Sequence, residues 1–276
     1  MTEQPPIDHE AFKQFERAGY SRVAEGYDQA TAQVTAQVND TVLDAVETGS
    51  GTRLLDVACG PGWLSAAAAK RGAIVTGLDF AQNMLTIARA RCPDATFHEG
   101  DAEDLPFEAG QFDAVVCSLG FPHFPHPERA IAEAFRVLTP GGRYAFTNWT
   151  PPARNPFMNL ILGSVQRHGT MDVDLPPGPS LFRFGDPAEC ERALRTGGFV
   201  TVSVAELPMV WPFAAPEEVV PGVVASTARL GPLLAMQSAE QRRNIEHAII
   251  EGARTYATGG GVEIPTAVVL AVARKP

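Results

Sequence analysis

The sequence predicts a doubly wound α/β fold, a Rossmann-like, mostly parallel sheet of seven strands with helices on both faces and helical lid insertions. Three observations predict it. Short apolar runs of buried-strand type alternate with helical stretches from residue 53 to residue 148. The helical stretches are long enough to return the chain by right-handed crossovers. Loops rich in glycine and acidic residues follow three of the strand-like runs, at the strand ends where open α/β sheets hold ligands. Hydrophobic residues make up 45% of the chain, enough to bury a sizeable core.

The elements follow in order. Residues 1–48 read as a helical cap. Phe12, Phe15 and Ala18 share one helix face, and Gly19-Tyr20 is expected to break that helix. A second helix is expected over about 29–46. Residues 53–58 (RLLDVA) form a first strand, and the alanine-rich 63–71 a helix stopped by Gly72. Residues 73–78 (AIVTGL) make a second strand, 81–91 a helix ended by Pro93, and 95–98 a short third strand. Residues 112–117 (FDAVVC) are a fourth. Pro127 opens a helix with apolar positions Ala130, Ile131, Ala134, Phe135 and Leu138. Residues 139–142 (TPGG) are a turn before a fifth strand at 143–148.

The rhythm then pauses in a stretch rich in proline and glycine, 151–182. Asp186-Pro187-Ala188-Glu189 starts a helix that ends at Gly197-Gly198. Residues 199–207 are a sixth strand, and 264–273 (IPTAVVLAVA) a seventh. Between them lies an apolar insertion in which Ser238 and Gln241 resemble a capping box. The expected division is a cap at 1–48, an α/β core at 49–150, a lid insertion at 151–183, core again at 184–210, a second lid at 211–262 and a final core strand at 263–276.

Charge and composition exclude several functions. Lys plus Arg number 22 against 32 Asp plus Glu, a net charge of −10, which argues against a nucleic-acid partner. The first residues, MTEQPPIDHE, lack the basic and apolar regions of a signal peptide, and no uncharged apolar stretch reaches membrane-spanning length. Cys59, Cys92, Cys117 and Cys190 are scattered, without a CxxC pair. They read as free thiols of a cytoplasmic protein, with no zinc site and no metal.

Three loops carry candidate chemistry. After the first strand comes Asp56-Val57-Ala58-Cys59-Gly60-Pro61-Gly62, whose small residues let a ligand approach the backbone beside a helix start. The order is AxGxG, and Trp63 fills the place of a third glycine, which weakens a dinucleotide reading. Asp79 closes the second strand and can accept hydrogen bonds from both ribose hydroxyls; a helix cap is its competing role. In Gly100-Asp101-Ala102-Glu103, a carboxylate can accept from an adenine amine and the next backbone N–H can donate to a ring nitrogen. A plain polar loop is the alternative there.

The stretch LLDVACGPG…VTGLDFAQNML…FHEGDAEDLPF…FDAVVCSLGFPHFPHPERAIAEAFRVLTPGG resembles the class I S-adenosylmethionine (SAM)-dependent methyltransferases. Within that class it is similar to the group holding the ubiquinone/menaquinone biosynthesis enzymes and many natural-product methyltransferases. The resemblance is strong over about 50–148 and weaker over 184–208 and 264–274. It implies SAM as cofactor and an antiparallel last strand. It implies that Ala58, Gly60 and Gly62 lie against the methionine part of SAM, that Asp79 holds the ribose, and that Phe80 and Met84 flank the adenine. It further implies that Asp101 and Ala102 read the adenine edge and that Ser118 faces the methionine end. Tyr20 and Tyr27, in YSRVAEGYD, match the family's N-terminal approach to SAM, with core or lid packing as the other use. Ala58 stands where glycine is common, Ala81 where serine is frequent and His126 where many relatives have Asp.

The resemblance and the composition together predict transfer of a methyl group to an O or C atom of an apolar small molecule. The route typical of an Asn/Asp-Pro-Pro-Tyr/Phe motif is disfavoured, since Cys117-Ser118-Leu119-Gly120 stands in its place. A base is needed only if the nucleophile arrives protonated. His123, in the loop after the fourth strand, is the candidate, with a structural histidine as the alternative. His126 is expected to cap a helix, and His168 to sit in an exposed loop or enter the pocket. Phe157, Met158, Leu160, Ile161, Trp211, Phe213, Val219, Val220, Val223, Leu230, Leu233, Leu234 and Met236 would suit a lid over such a substrate. Packing onto the sheet or a homodimer interface would use them equally. Two rivals keep the fold: an enzyme such as a cyclase that transfers no methyl, and a non-catalytic SAM-binding partner subunit.

Overall fold

A computed structural model describes residues 8–276. The first seven residues, part of the expected cap and of the segment read for a leader, lie outside the described residues. Helix α1 (His9–Gln29) opens on Asp8, whose carboxylate accepts from the Ala11 N–H at 3.0 Å. It runs unbroken through Gly19-Tyr20, against expectation. A Cβ on Gly19 would lie 2.7 Å from the Ala228 Cβ, and one on Gly26 would lie 2.2 Å from the Ala225 carbonyl oxygen. The glycines therefore serve close backbone approach, and that packing offsets the roughly 1 kcal/mol each costs a helix.

The single helix expected over 29–46 is instead three pieces: α2 (Thr31–Thr35), a 3₁₀ turn (Ala36–Val38) and α3 (Asn39–Ala45). Ala30 leaves helical geometry at φ −126° and ψ −79°, and the β-branched residues that follow hold a helix weakly. The alternating core then begins: β1 (Arg53–Val57), α4 (Trp63–Lys70), β2 (Ile74–Asp79), α5 (Gln82–Arg91), β3 (Thr96–Glu99), β4 (Phe112–Ser118), α6 (Pro127–Val137) and β5 (Leu138–Trp149). The expected turn at 139–142 is absorbed into β5 as a bulge: Phe112 pairs with Leu138 but Ala114 with Arg143, and Gly141 takes φ +81°.

The chain continues through α7 (Pro156–His168), α8 (Pro187–Thr196), β6 (Val200–Phe213), α9 (Val219–Ser226), α10 (Leu230–Ala235), α11 (Ala239–Arg254), β7 (Ala257–Thr258) and β8 (Gly261–Arg274). The sheet order is β3-β2-β1-β4-β5-β8-β6, with β7 paired to β8, so among the described residues the sheet has eight strands where seven were expected. The first five strands pair in parallel, and β8 runs antiparallel between β5 and β6. Helix starts follow their sequence signals. Asp186 accepts from the Ala188 N–H at 3.0 Å, and Ser238 and Gln241 form a reciprocal capping box. Asn155 with Pro156 opens α7 inside the stretch rich in proline and glycine.

Strands β6 and β8 outrun the expected limits, staying paired as far as Phe213 opposite Val262. Their far end is a platform that α7, α9, α10 and α11 cover. The apolar residues expected as a lid supply that cover. Phe157 stacks on Trp211 at 4.0 Å, and Trp211 lies within 5° of parallel with Phe213. Val219, Val220, Val223, Leu230, Leu233 and Leu234 join the same buried cluster, together with Ile245 and Ile249; Met236 remains exposed. The edge strand β6 is guarded on its open side. The Gln37 side chain bonds both the N–H and the C=O of Val210, at 3.0 and 2.7 Å, while Pro208 and Pro212 lack an N–H altogether. No described helix is long and apolar enough to cross a membrane.

Candidate active site

Two adjoining cavities, of about 160 and 40 Å³, lie between the strand ends and α1. Both are lined by Ala58, Asp79, Phe80, His123 and Phe124. The loop after β1 turns through three left-handed residues: Ala58 at φ +55°, Gly60 at +53° and Gly62 at +79°. For Ala58 this geometry costs about 1–2 kcal/mol, which glycine would not incur. A Cβ on Gly60 would meet only the Tyr27 ring, at 3.9 Å, so this backbone faces open space. Gly62 lies away from both cavities. A Cβ there would come within 3.1 Å of the Ala88 backbone, so this glycine lets α4 approach α5.

Asp79 ends β2, buried. One carboxylate oxygen accepts from the Gly60 N–H at 2.8 Å and the other from the Ala81 N–H at 2.9 Å. It thus pins the loop and serves the helix start that Ala81 cannot cap, with lone pairs left for a ligand. Burial raises its pKa, against the pull of these backbone donors. Phe80 and Met84 line the cavities beside it. Asp101 and Ala102 line the larger one. Asp101 accepts from the Glu103 N–H at 2.9 Å and from Lys13 Nζ at 2.6 Å. Ser118 lines the smaller cavity and pairs with Thr147 at 3.1 Å.

Tyr20 and Tyr27 reach the smaller cavity from α1, edge to face with ring centroids 5.8 Å apart. Burial, then neighbouring carboxylates, pushes both phenols above their usual pKa. His123 closes a 3₁₀ turn (Phe121–His123) after β4. Its Nδ1 lies 2.8 Å from Glu16 and its Nε2 3.1 Å from the Tyr20 hydroxyl. His126 occupies the N-cap position of α6, but its side chain caps nothing; the ring stacks on His9 at 4.1 Å. His168 is the exposed last residue of α7 and lines neither cavity.

Sequence reasoning missed Lys13, Glu16 and Arg229. Lys13 also bonds Glu103, at 2.7 Å, and Arg229 bonds Glu16 at 3.0 Å. Helical spacing held a signal for the first two. Positions 13, 16, 20 and 27 fall on one face of α1, so the tyrosines implied polar neighbours there.

The strand order and the loops at the strand ends define a Rossmann-like α/β domain. Residues 55–146 match the methyltransferase-domain family. A demethylmenaquinone methyltransferase of Renibacterium salmoninarum is 42% identical over 126 residues, 46% of this chain and 53% of that protein. One of Thermus thermophilus is 45% identical over 111 residues, 38% of this chain and 50% of the other. The chain thus spans about half the length of the curated relatives it matches. Among solved structures, the YcgJ protein from Bacillus subtilis shares the fold with a TM-score of 0.58 at 17% identity, covering 87% of this chain and 98% of that one. A Haemonchus contortus phosphoethanolamine N-methyltransferase 2 in complex with SAM shares it at 0.54 and 19% identity, over 87% of this chain and 52% of the other.

Proposed function

We propose that the protein is a SAM-dependent methyltransferase acting on an O or C atom of an apolar small molecule. The observation that carries this reading is the pair of joined cavities at the strand ends. A buried ribose-type acceptor, Asp79, lines both, as does His123, while Asp101 lines only the larger and Tyr20 only the smaller. The residues present fit the cofactor: an open backbone cradle at Gly60, the Asp79 carboxylate, aromatic and thioether faces at Phe80 and Met84, and an acceptor at Asp101. Asp79, Phe80 and Asp101 would hold the nucleoside, and Gly60 and Ser118 the amino-acid end. The bound sulfonium supplies an already activated methyl group. The chain then has to align a nucleophile with it, exclude water and accept a proton. His123 is the proposed base. The named activity of the relatives makes a demethylmenaquinone-type quinol the first substrate to try.

The test has two arms. Calorimetry should show SAM and its demethylated product binding, with Asp79→Ala weaker by about tenfold or more, the loss of a charge-assisted hydrogen bond worth roughly 1.5–3 kcal/mol. Mass spectrometry of extracts incubated with the protein and isotope-labelled SAM should reveal a labelled apolar product. Binding without any labelled product would instead favour a non-transferring relative of the fold.

A further inference from the structure

Glu16 is fully buried on the cavity face of α1. A carboxylate removed from water persists only where its lone pairs are met by donors. Here one oxygen faces His123 Nδ1 at 2.8 Å and the other accepts from the Arg229 guanidinium at 3.0 Å. Burial pushes the Glu16 pKa up, but the bond and charge of His123 and the charge of Arg229 outweigh it, leaving it below the usual value. An ionised Glu16 can only accept, so Nδ1 must carry the ring proton. When the ring is neutral, Nε2 then presents a lone pair, and the Tyr20 hydroxyl 3.1 Å away donates to it.

We infer that Glu16 is a positioning residue that holds His123 as its Nδ1–H tautomer, aiming the basic nitrogen at Tyr20 and the reacting end of the cavity. This rests on the methyl-transfer reading above. For a hydroxyl nucleophile the proton passes to the Tyr20 oxygen as the Tyr20 proton passes to His123 Nε2. The freed oxygen pair forms the bond to the methyl carbon. The carbon–sulfur pair stays on sulfur, which becomes a neutral thioether. The imidazolium so formed keeps its Nδ1–H on Glu16. Because Glu16 and Tyr20 belong to α1 while His123 belongs to the core, the relay exists only with α1 docked.

The test reads the tautomer in the full chain, without substrate. Long-range ¹H–¹⁵N correlation spectra resolve the ring nitrogens of the six histidines, and His123→Gln identifies the His123 signals by their loss. The wild type should show Nδ1–H. In Glu16→Gln, Arg229 claims the one remaining oxygen, so the amide NH₂ faces Nδ1 and the tautomer should reverse. Turnover should fall on the order of 10²-fold, the lower range of a general base, with SAM affinity unchanged. An Nε2–H tautomer in the wild type overturns the proposal whether or not the variant folds. So does an unchanged signature, or turnover within a few-fold of wild type, in Glu16→Gln. If the spectra behave as expected while wild type transfers no methyl to any substrate, the pairing stands and the methyl-transfer reading falls.

Discussion

The half of the molecule around the cavities and the half built on the long antiparallel β6–β8 pair bury polar groups in opposite ways. Around the cavities the buried set includes four carboxylates, Glu16, Asp56, Asp79 and Glu103. Ala58 and Leu119, neither of them glycine, take φ of +55° and +60° there, and Thr201 on β6 takes +51° in the other half. Among the described residues, the β6–β8 half buries only neutral polar side chains, such as Asn155, Ser164, Ser226, Gln237 and Thr266. Those are satisfied by neutral partners: Asn155 alone joins the Met158 N–H, the Thr266 hydroxyl and the Ala267 carbonyl. One half thus retains buried charges that cost stability, and the other retains packing that supplies it. That is the distribution expected when chemistry is confined to one side of a fold.

The sharpest test of that division is His123→Gln. It should lower single-turnover methyl transfer by about 10²–10⁴-fold, while unfolding midpoint and SAM affinity stay near wild type. A variant that instead loses stability would make His123 structural and blur the contrast. Trp211→Ala should do the reverse. Removing the indole stacked on Phe157 should cost about 3–5 kcal/mol in denaturant unfolding, with SAM binding retained below the transition. A loss of SAM affinity in the folded variant would mean the β6–β8 half shapes the site after all.

Asp56 offers a pH test of smaller size. Burial, together with the charge of Asp79, lifts its pKa to about 7 despite the Ser65 hydroxyl bonded to it. A carboxyl raised in the folded state favours folding fully below its unfolded pKa of about 4, and that contribution is lost as pH rises through about 7. Asp56→Asn should therefore gain stability relative to wild type across that interval, by up to a few kcal/mol, in unfolding series at successive pH values. A difference independent of pH would remove Asp56 from the stored cost. The smallest effect is Ala58→Gly. Relief of the left-handed strain, less the entropy glycine restores to the unfolded chain, should leave thermal stability raised by at most about 1 kcal/mol. A clear loss would show that the Ala58 methyl is needed to fill the loop.

Much of the framework was legible because its signals are local. Strand-helix alternation, the Asp186 and Ser238 caps, and the small residues at 58–62 are each read within a few positions. The site's partners were less so: Lys13 meets Asp101 across 88 residues and Arg229 meets Glu16 across 213. No short-range pattern encodes such a meeting. Two residue types also carried double meanings. Gly19 could end a helix or admit a neighbour, and only the Ala228 contact decides between them. Phe157 and Trp211 could cover a ligand or a sheet, and hydrophobicity names neither surface. The length of β6 and β8 decided it, because a strand pair that outruns its sheet must itself be covered.

The Gln37 clip on β6 bears on how these molecules meet one another. A fourteen-residue edge strand is a template onto which another chain can add by backbone hydrogen bonding. At Val210 both outward groups are already taken, and on either side proline leaves no donor to offer. A second molecule arriving along this margin finds no continuous ladder to extend. In crowded solution, sheet-to-sheet growth at that border is discouraged, and association between copies is steered toward side-chain surfaces elsewhere.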